Sequence, residues 1–260
     1  MHQLENKKLF LLDMDGTLYL GNDLFPETLP FLEQIKSHGA RAMYLTNNSS
    51  KSVSRYVEKL ASFGIVATED DFLTSSQATA IYLLEHYKDK LLYVLGTASL
   101  CEELKNAGLN ITTQLQDGID CLVMGYDTEL VYQKLVDACI LLGQGVDYIA
   151  TNPDFVCPTE FGYVPDCGSV SIMLKNATGR EPLFIGKPQK EMVELALKKA
   201  GMEKPDAVLI GDRIYTDIAA GQNAGVDTVL VLSGETTLEQ ARASTIKPTY
   251  ILQNVGEIFR

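Results

Sequence analysis

Short apolar runs that break off at polar residues alternate along this chain with stretches of helical period. Lys8–Leu12 ends at Asp13 and then Gly16, as a buried parallel strand would. Pro26-Glu27 opens a predicted helix with Leu29, Leu32 and Ile35 on its apolar face and Gly39 as its stop. Ala42–Leu45 reads as the next strand and runs into Thr46-Asn47-Asn48-Ser49-Ser50; a second helix follows, with Val53, Tyr56, Val57 and Leu60 on one face. The same rhythm returns toward the C-terminus. Leu183–Ile185, Ala207–Ile210 and Thr228–Leu232 read as strands, and Gln189–Ala200 and Ile218–Ala224 as helices. Strand and helix alternating at this pace predict an α/β fold with a Rossmann-like parallel sheet covered on both faces. Residues 80–179 carry strands (Leu91–Leu95, Cys121–Met124, Tyr148–Ala150) and helices (Ala98–Asn106, Leu130–Leu142) of their own. They are expected to form an α/β lobe inserted between core segments 1–79 and 180–260.

Composition narrows the function. Hydrophobic residues make up 46% of the 260, enough for a core, while the longest apolar runs are far too short to span a bilayer. The N-terminus lacks the apolar stretch of a signal peptide, so a cytoplasmic location is expected. Five cysteines without CxxC spacing read as reduced thiols. The formal charge of −12 repels nucleic acid and anionic membranes, so neither is an expected partner. It repels phosphorylated substrates as well. Any such substrate must be drawn in locally, by a metal ion, a lysine or helix N-termini.

Four predicted strand ends carry distinctive polar groups: Asp13-Met14-Asp15-Gly16-Thr17, Thr46-Asn47, Lys187, and Gly211-Asp212 with Asp217 beyond it. In open α/β sheets ligands bind at the carboxyl ends of the strands, so these groups are expected to converge. Clustered carboxylates repel one another unless a cation sits among them, and oxygen-only ligands beside phosphate suit Mg²⁺. Gly16 permits a sharp turn that lets Asp13 and Asp15 face one cavity. One carboxylate can then attack phosphorus while the other protonates the leaving oxygen and later activates water. Taken singly, Thr46-Asn47-Asn48 reads equally as a capping turn, Gly186-Lys187-Pro188 as a plain turn and Asp217 as a helix start. The Asp-x-Asp-x-Asp-Gly spacing of a calcium loop is absent.

In this order the motifs resemble those of the haloacid-dehalogenase-like (HAD) hydrolases, and more narrowly their NagD or p-nitrophenylphosphatase branch. The residues that carry the resemblance are Asp13-Met14-Asp15-Gly16-Thr17-Leu18, Leu45-Thr46-Asn47-Asn48-Ser49, Gly186-Lys187-Pro188 and Gly211-Asp212-Arg213-Ile214-Tyr215-Thr216-Asp217, with Ala150-Thr151-Asn152-Pro153-Asp154 in the insertion. The resemblance implies a HAD core with an inserted α/β cap of the C2 type and Mg²⁺-dependent hydrolysis of small phosphomonoesters, such as nucleotide monophosphates or sugar phosphates. Asp13 would be the nucleophile, forming an aspartyl-phosphate, and Asp15 the general acid/base. Thr46 and the backbone at Asn47 would hold phosphoryl oxygens, and Lys187 would neutralise them. The metal would take the Asp13 and Asp212 carboxylates and the Asp15 main-chain carbonyl, with Asp217 positioning Lys187 or a metal-bound water. Self-association through the cap is a further implication. The branch pattern is broken at Pro165-Asp166-Cys167-Gly168-Ser169, where Asp166 replaces a glycine. It reads either as a solvent-facing loop residue or as a discriminator against anionic leaving groups. Mutase-like phosphoryl transfer and a non-enzymatic phospho-accepting module are the competing functions; a module would take about one phosphate per chain, an enzyme many.

Overall fold

A computed structural model describes residues 4–159 and 161–259. In chain order its strands begin β1 (Leu9–Leu12), β2 (Tyr19–Leu20), β3 (Asp23–Leu24), β4 (Arg41–Thr46), β5 (Phe72–Thr74), β6 (Leu91–Leu95) and β7 (Ile111–Thr112). They continue with β8 (Ile119–Met124), β9 (Asp147–Ala150), β10 (Val156–Thr159), β11 (Gly162–Pro165), β12 (Leu183–Phe184), β13 (Ala207–Gly211), β14 (Asp227–Val231) and β15 (Tyr250–Leu252). The helices are α1 (Thr28–Ser37), α2 (Val53–Ser62), α3 (Ser75–His86), α4 (Ala98–Asn106), α5 (Tyr132–Gln144), α6 (Cys167–Thr178), α7 (Lys190–Ala200), α8 (Ala219–Ala224) and α9 (Leu238–Ala243). The chain divides into two units: Met1–Thr46, Val57–Leu73 and Lys187–Arg260 form the first, and Asn47–Tyr56 with Thr74–Gly186 the second. The boundaries read from the sequence at 80 and 179 fall inside the second unit.

The first unit is built on a six-stranded sheet in the order β15-β14-β13-β1-β4-β5. Strand β1 pairs in parallel with both β13 and β4, in register Leu9 with Ala207 and with Arg41. It is therefore central, and all four of its residues are fully buried. Leu9 and Leu11 pack with Met192, Val193 and Ala196 of α7 and with Ala220 and Ala224 of α8. Alternate residues face the other way, where the Phe10 ring meets Phe31 of α1 edge-on at 6.1 Å. A strand covered on both faces needs an unbroken apolar run, and Leu9-Phe10-Leu11-Leu12 is one. In α1 the buried stripe is Thr28, Phe31 and Ile35, whereas Leu29 lies on the exposed side. Spacing of three and then four residues selects that stripe, and Leu29 stands one position round the helix from it.

The second unit has its own parallel five-stranded sheet, in the order β12-β9-β8-β6-β7, and an antiparallel hairpin, β10–β11. Leu122 and Met124 of β8 and Tyr148 and Ala150 of β9 pack against Ala138 and Leu141 of α5 and Cys167 and Leu174 of α6. One assignment needs correction. The run Leu183–Ile185, expected in the core sheet, contributes β12 to this second sheet, with Leu183 paired to Ile149 and Phe184 to Ala150. A short apolar run does not say which sheet it completes. All five cysteines are free thiols, and among the described residues no helix is long and apolar enough to cross a membrane.

Candidate active site

The first unit brings its acidic groups together at the carboxyl ends of β1 and β13. The Asp13 amide donates to the Ile210 carbonyl at 2.9 Å, which keeps the chain in the sheet ladder one residue past β1. It then turns sharply: the Thr17 and Leu18 amides both donate to the Met14 carbonyl, at 3.1 and 2.8 Å. Gly16 sits in this turn at φ +85°, and a Cβ there would lie 2.4 Å from Asp212 Oδ2. Only a residue without a side chain meets both conditions.

Beyond β13, a five-residue π-helical turn, Ile214–Ile218, leads into α8. The wider turn carries Asp217 back over the strand end, where its Oδ2 accepts the Arg213 amide at 3.1 Å. A Cβ on Gly211 would meet Asp217 Cγ at 2.3 Å, so the glycine makes room for that return. Lys187 is buried among these groups. Its ammonium donates to Asp13 Oδ1 at 2.7 Å, to Asp217 Oδ1 at 2.6 Å and to the Leu45 carbonyl at 3.1 Å.

Carboxylate oxygens of Asp13, Asp212 and Asp217 lie within 4.8 Å of one another. Burial pushes the Asp13 carboxyl well above the usual range; Lys187 opposes the shift, and the Asp217 and Asp212 charges add to it. Burial, reinforced by Asp217, pushes Asp212 up to about 7 against the opposing effect of the Glu235 amide. Burial pulls the Lys187 ammonium down, but the charges of Asp13 and Asp217 outweigh it and hold the group above its ordinary value. The two carboxyl shifts come first from burial and then from neighbouring negative charge, and the lysine shift from that negative charge against burial. Three carboxylates and one ammonium sum formally to −2 (−3 and +1), which one divalent cation would cancel.

The donor set fits such an ion. Asp212 Oδ2 accepts the Glu235 amide at 2.7 Å, but Asp212 Oδ1 is buried with no hydrogen-bond partner among the described residues. A buried anionic oxygen without a partner is costly, and a hard cation is the partner that oxygen ligands favour. The same carboxylate is walled in by glycines, since a Cβ on Gly234 would come within 2.0 Å of Oδ2.

Residues 10–110 match a family model described as haloacid dehalogenase-like hydrolase, and residues 184–258 one described as HAD-hydrolase-like. The 5'-nucleotidase YutF of Bacillus subtilis is 35% identical over 98% of each chain. The chain is a haloacid dehalogenase-like hydrolase. Among solved HAD structures, a 4-nitrophenylphosphatase from Thermotoga maritima superposes with a TM-score of 0.93 at 40% identity, covering 99% of this chain and 98% of its own. That places this HAD hydrolase in the NagD and nitrophenylphosphatase branch. A glycerol phosphate phosphatase from Mycobacterium tuberculosis, solved in complex with magnesium, superposes with a TM-score of 0.92 at 28% identity over 98% of this chain and 77% of its own.

Of the predicted site residues of this HAD hydrolase, Asp13, Lys187, Asp212 and Asp217 meet in the first unit. Asp15 is half-buried in the turn at Gly16, and its carboxylate is not among the three that converge; the metal role implied for it uses the main-chain carbonyl. Thr46 is the buried last residue of β4. Asn47 begins the second unit, where it is buried and its carbonyl accepts the Ser75 hydroxyl at 2.6 Å. Asp166 is not solvent-facing. It is buried, its carboxylate caps the amide of Cys167 at the start of α6, and Oδ1 accepts the Asn152 side-chain amide at 3.1 Å. Sequence reasoning missed the Leu45 carbonyl, the packing of Gly211 on Asp217, the Glu235 amide and the glycine at 234. The Gly234-Glu235-Thr236 run just beyond β14 is a signal that could have pointed to the last of these.

Proposed function

We propose that this chain hydrolyses small phosphomonoesters, of the nucleotide monophosphate or sugar phosphate type, with Asp13 as nucleophile and Mg²⁺ as cofactor. The observation that carries the reading is the placement of Asp13: its carboxylate is bonded to a buried lysine and lies within reach of Asp212, whose second oxygen has no hydrogen-bond partner among the described residues. The relatives named above, a nucleotidase and two phosphatases of small esters, support the substrate class.

In the first step an Asp13 oxygen attacks phosphorus and the bond to the leaving oxygen breaks, while Asp15 gives that oxygen a proton. In the second, water attacks the aspartyl-phosphate, Asp15 takes the water's proton, and the bond to Asp13 breaks, releasing inorganic phosphate. Lys187 holds Asp13 in place and offsets negative charge as the phosphoryl group arrives, and Asp217 holds Lys187. Thr46 and the backbone at Asn47 bind the phosphoryl oxygens. Asp13, Asp212 and the Asp15 carbonyl would hold Mg²⁺, which would screen the carboxylates and offset the charge of a phosphate dianion in an acidic site.

The test is hydrolysis of p-nitrophenyl phosphate. Release of p-nitrophenol that depends on Mg²⁺, is lost in Asp13→Asn and in Asp15→Asn, and continues over many turnovers is the expected result. Full activity in chelator or in Asp13→Asn would overturn the reading, and a single phosphate taken up per chain would make the protein a phospho-acceptor instead.

A further inference from the structure

We propose that Glu235 is a positioning residue for the metal: through Arg213 it fixes the loop whose main chain orients Asp212, an inference that rests on the metal-dependent reading above. The loop follows β14. Within it, the Glu235 amide donates to Asp212 Oδ2 at 2.7 Å and the Thr236 amide to the Asp212 carbonyl at 3.2 Å. Thr236 Oγ1 accepts the Ile214 amide at 3.3 Å, and the Ser233 hydroxyl donates to the Gly16 carbonyl at 2.8 Å. This one loop is thus bonded to the turn after Asp13 and to the segment that carries Asp212.

The Glu235 side chain closes the arrangement. Its Oε2 lies 2.9 Å from Arg213 Nε, and its Oε1 accepts the Tyr215 hydroxyl at 2.8 Å. Arg213 and Tyr215 flank the start of the π-helical turn that brings in Asp217, so the side chain clasps the loop to both acidic positions. With Oδ2 held by the loop amide, rotation of the Asp212 carboxylate is restricted and Oδ1 is presented as the ligand atom. Groups that orient a ligating carboxylate commonly govern metal affinity nearly as strongly as the ligands do. An ion pair that merely decorated the surface would contribute little to anything.

Charge alone makes a different prediction from positioning. Removing the Arg213 cation beside Asp212 should tighten Mg²⁺ binding if only charge matters, and removing the Glu235 anion should weaken it. If the clasp positions Asp212, both changes weaken it. Calorimetric titration of the full chain with Mg²⁺ separates the two. We expect Glu235→Gln and Arg213→Met each to raise the Mg²⁺ dissociation constant about ten-fold. The double variant should be little worse than either single one, because both break the same clasp. At saturating Mg²⁺, turnover of p-nitrophenyl phosphate should stay close to wild type, and so should melting in chelator. If Arg213→Met fails to fold, Arg213→Lys carries the same test: it keeps the charge but not the planar guanidinium that pairs with Glu235 Oε2, so positioning predicts weaker binding and charge alone predicts no change. Tighter binding in Arg213→Met, or unmoved dissociation constants in both variants while the wild type binds Mg²⁺ and hydrolyses substrate, would overturn the clasp alone. A wild type that neither binds Mg²⁺ nor needs it would overturn the metal-dependent reading, and the clasp with it.

Discussion

The ammonium of Lys187 lies 2.6 Å from Asp217 Oδ1, and both side chains are within 2% of full burial. Neither charge has water to fall back on, so each depends on the other. Lys187 also holds Asp13, so Asp217 acts through Lys187 on the proposed nucleophile.

Asp217→Asn keeps the shape and a hydrogen-bond acceptor but removes the charge. Breaking a buried pair from one side typically costs about 3 kcal/mol or more, because the remaining charge is left uncompensated. Here Asp13 still faces Lys187, so the loss should fall near the lower end, at about 3 kcal/mol. Turnover should drop more than substrate affinity, since the proposed nucleophile is misplaced while the proposed phosphoryl-binding groups stay. Urea denaturation and steady-state kinetics on p-nitrophenyl phosphate check the two halves. An unchanged denaturation midpoint would contradict the buried-pair argument.

The raised pKa of Asp212 fixes the sign of a pH effect. Its folded value of about 7 exceeds the ordinary 3.8, so between these pH values the folded chain keeps a proton that the unfolded chain releases. Metal-free stability should therefore fall as pH rises from about 4 toward 7 and level off above it. Asp13, shifted in the same direction, adds to the trend. Mg²⁺ competes with the proton, so the gain in melting temperature on adding Mg²⁺ should grow over the same interval. Melting curves in chelator and in Mg²⁺, at pH 5 and pH 7.5, test this. A melting temperature in chelator that rises with pH would contradict it.

Much of this site is legible in the sequence because apolar runs ending at Asp13 and at Gly211-Asp212 announce buried strands with polar tips. What pairs with what is less visible. Lys187 was expected from the end of a core strand, yet the strand before it belongs to the second sheet and Lys187 enters from the loop beyond. Gly16, Gly211 and Gly234 are spread along the chain, and nothing in their local sequence shows that two of them pack on Asp212 and one on Asp217. Asp166 fits neither of its two sequence readings by local pattern, because an aspartate in a loop is usually solvated, whereas this one caps a buried helix start.

The glycine contacts make a steric prediction. Gly234→Ala would set a methyl 2.0 Å from Asp212 Oδ2, so the carboxylate or the loop must shift. Neither can move without disturbing the Glu235 amide bond. A forced shift of this kind costs about 1–3 kcal/mol. Mg²⁺ affinity should fall along with the melting temperature, since the displaced group is the proposed ligand. Calorimetry showing wild-type Mg²⁺ affinity in Gly234→Ala would mean that Asp212 does not hold the metal.

Asp166 tests whether the departure from the branch pattern concerns substrate or structure. Its carboxylate caps α6 and accepts the Asn152 amide, and the residue is only 4% exposed. A side chain so committed has little capacity to repel a leaving group. Asp166→Ala should therefore cost about 1 kcal/mol, the usual loss when a helix cap is removed. Asn152, which also donates to Asp154 at 3.2 Å, would keep that partner and hold the neighbouring loop. The ranking of nucleotide and sugar phosphate substrates should stay as in the wild type, with all rates scaled together. A panel of phosphorylated metabolites assayed side by side decides the matter. A selective gain for the more anionic esters would return Asp166 to the role of discriminator.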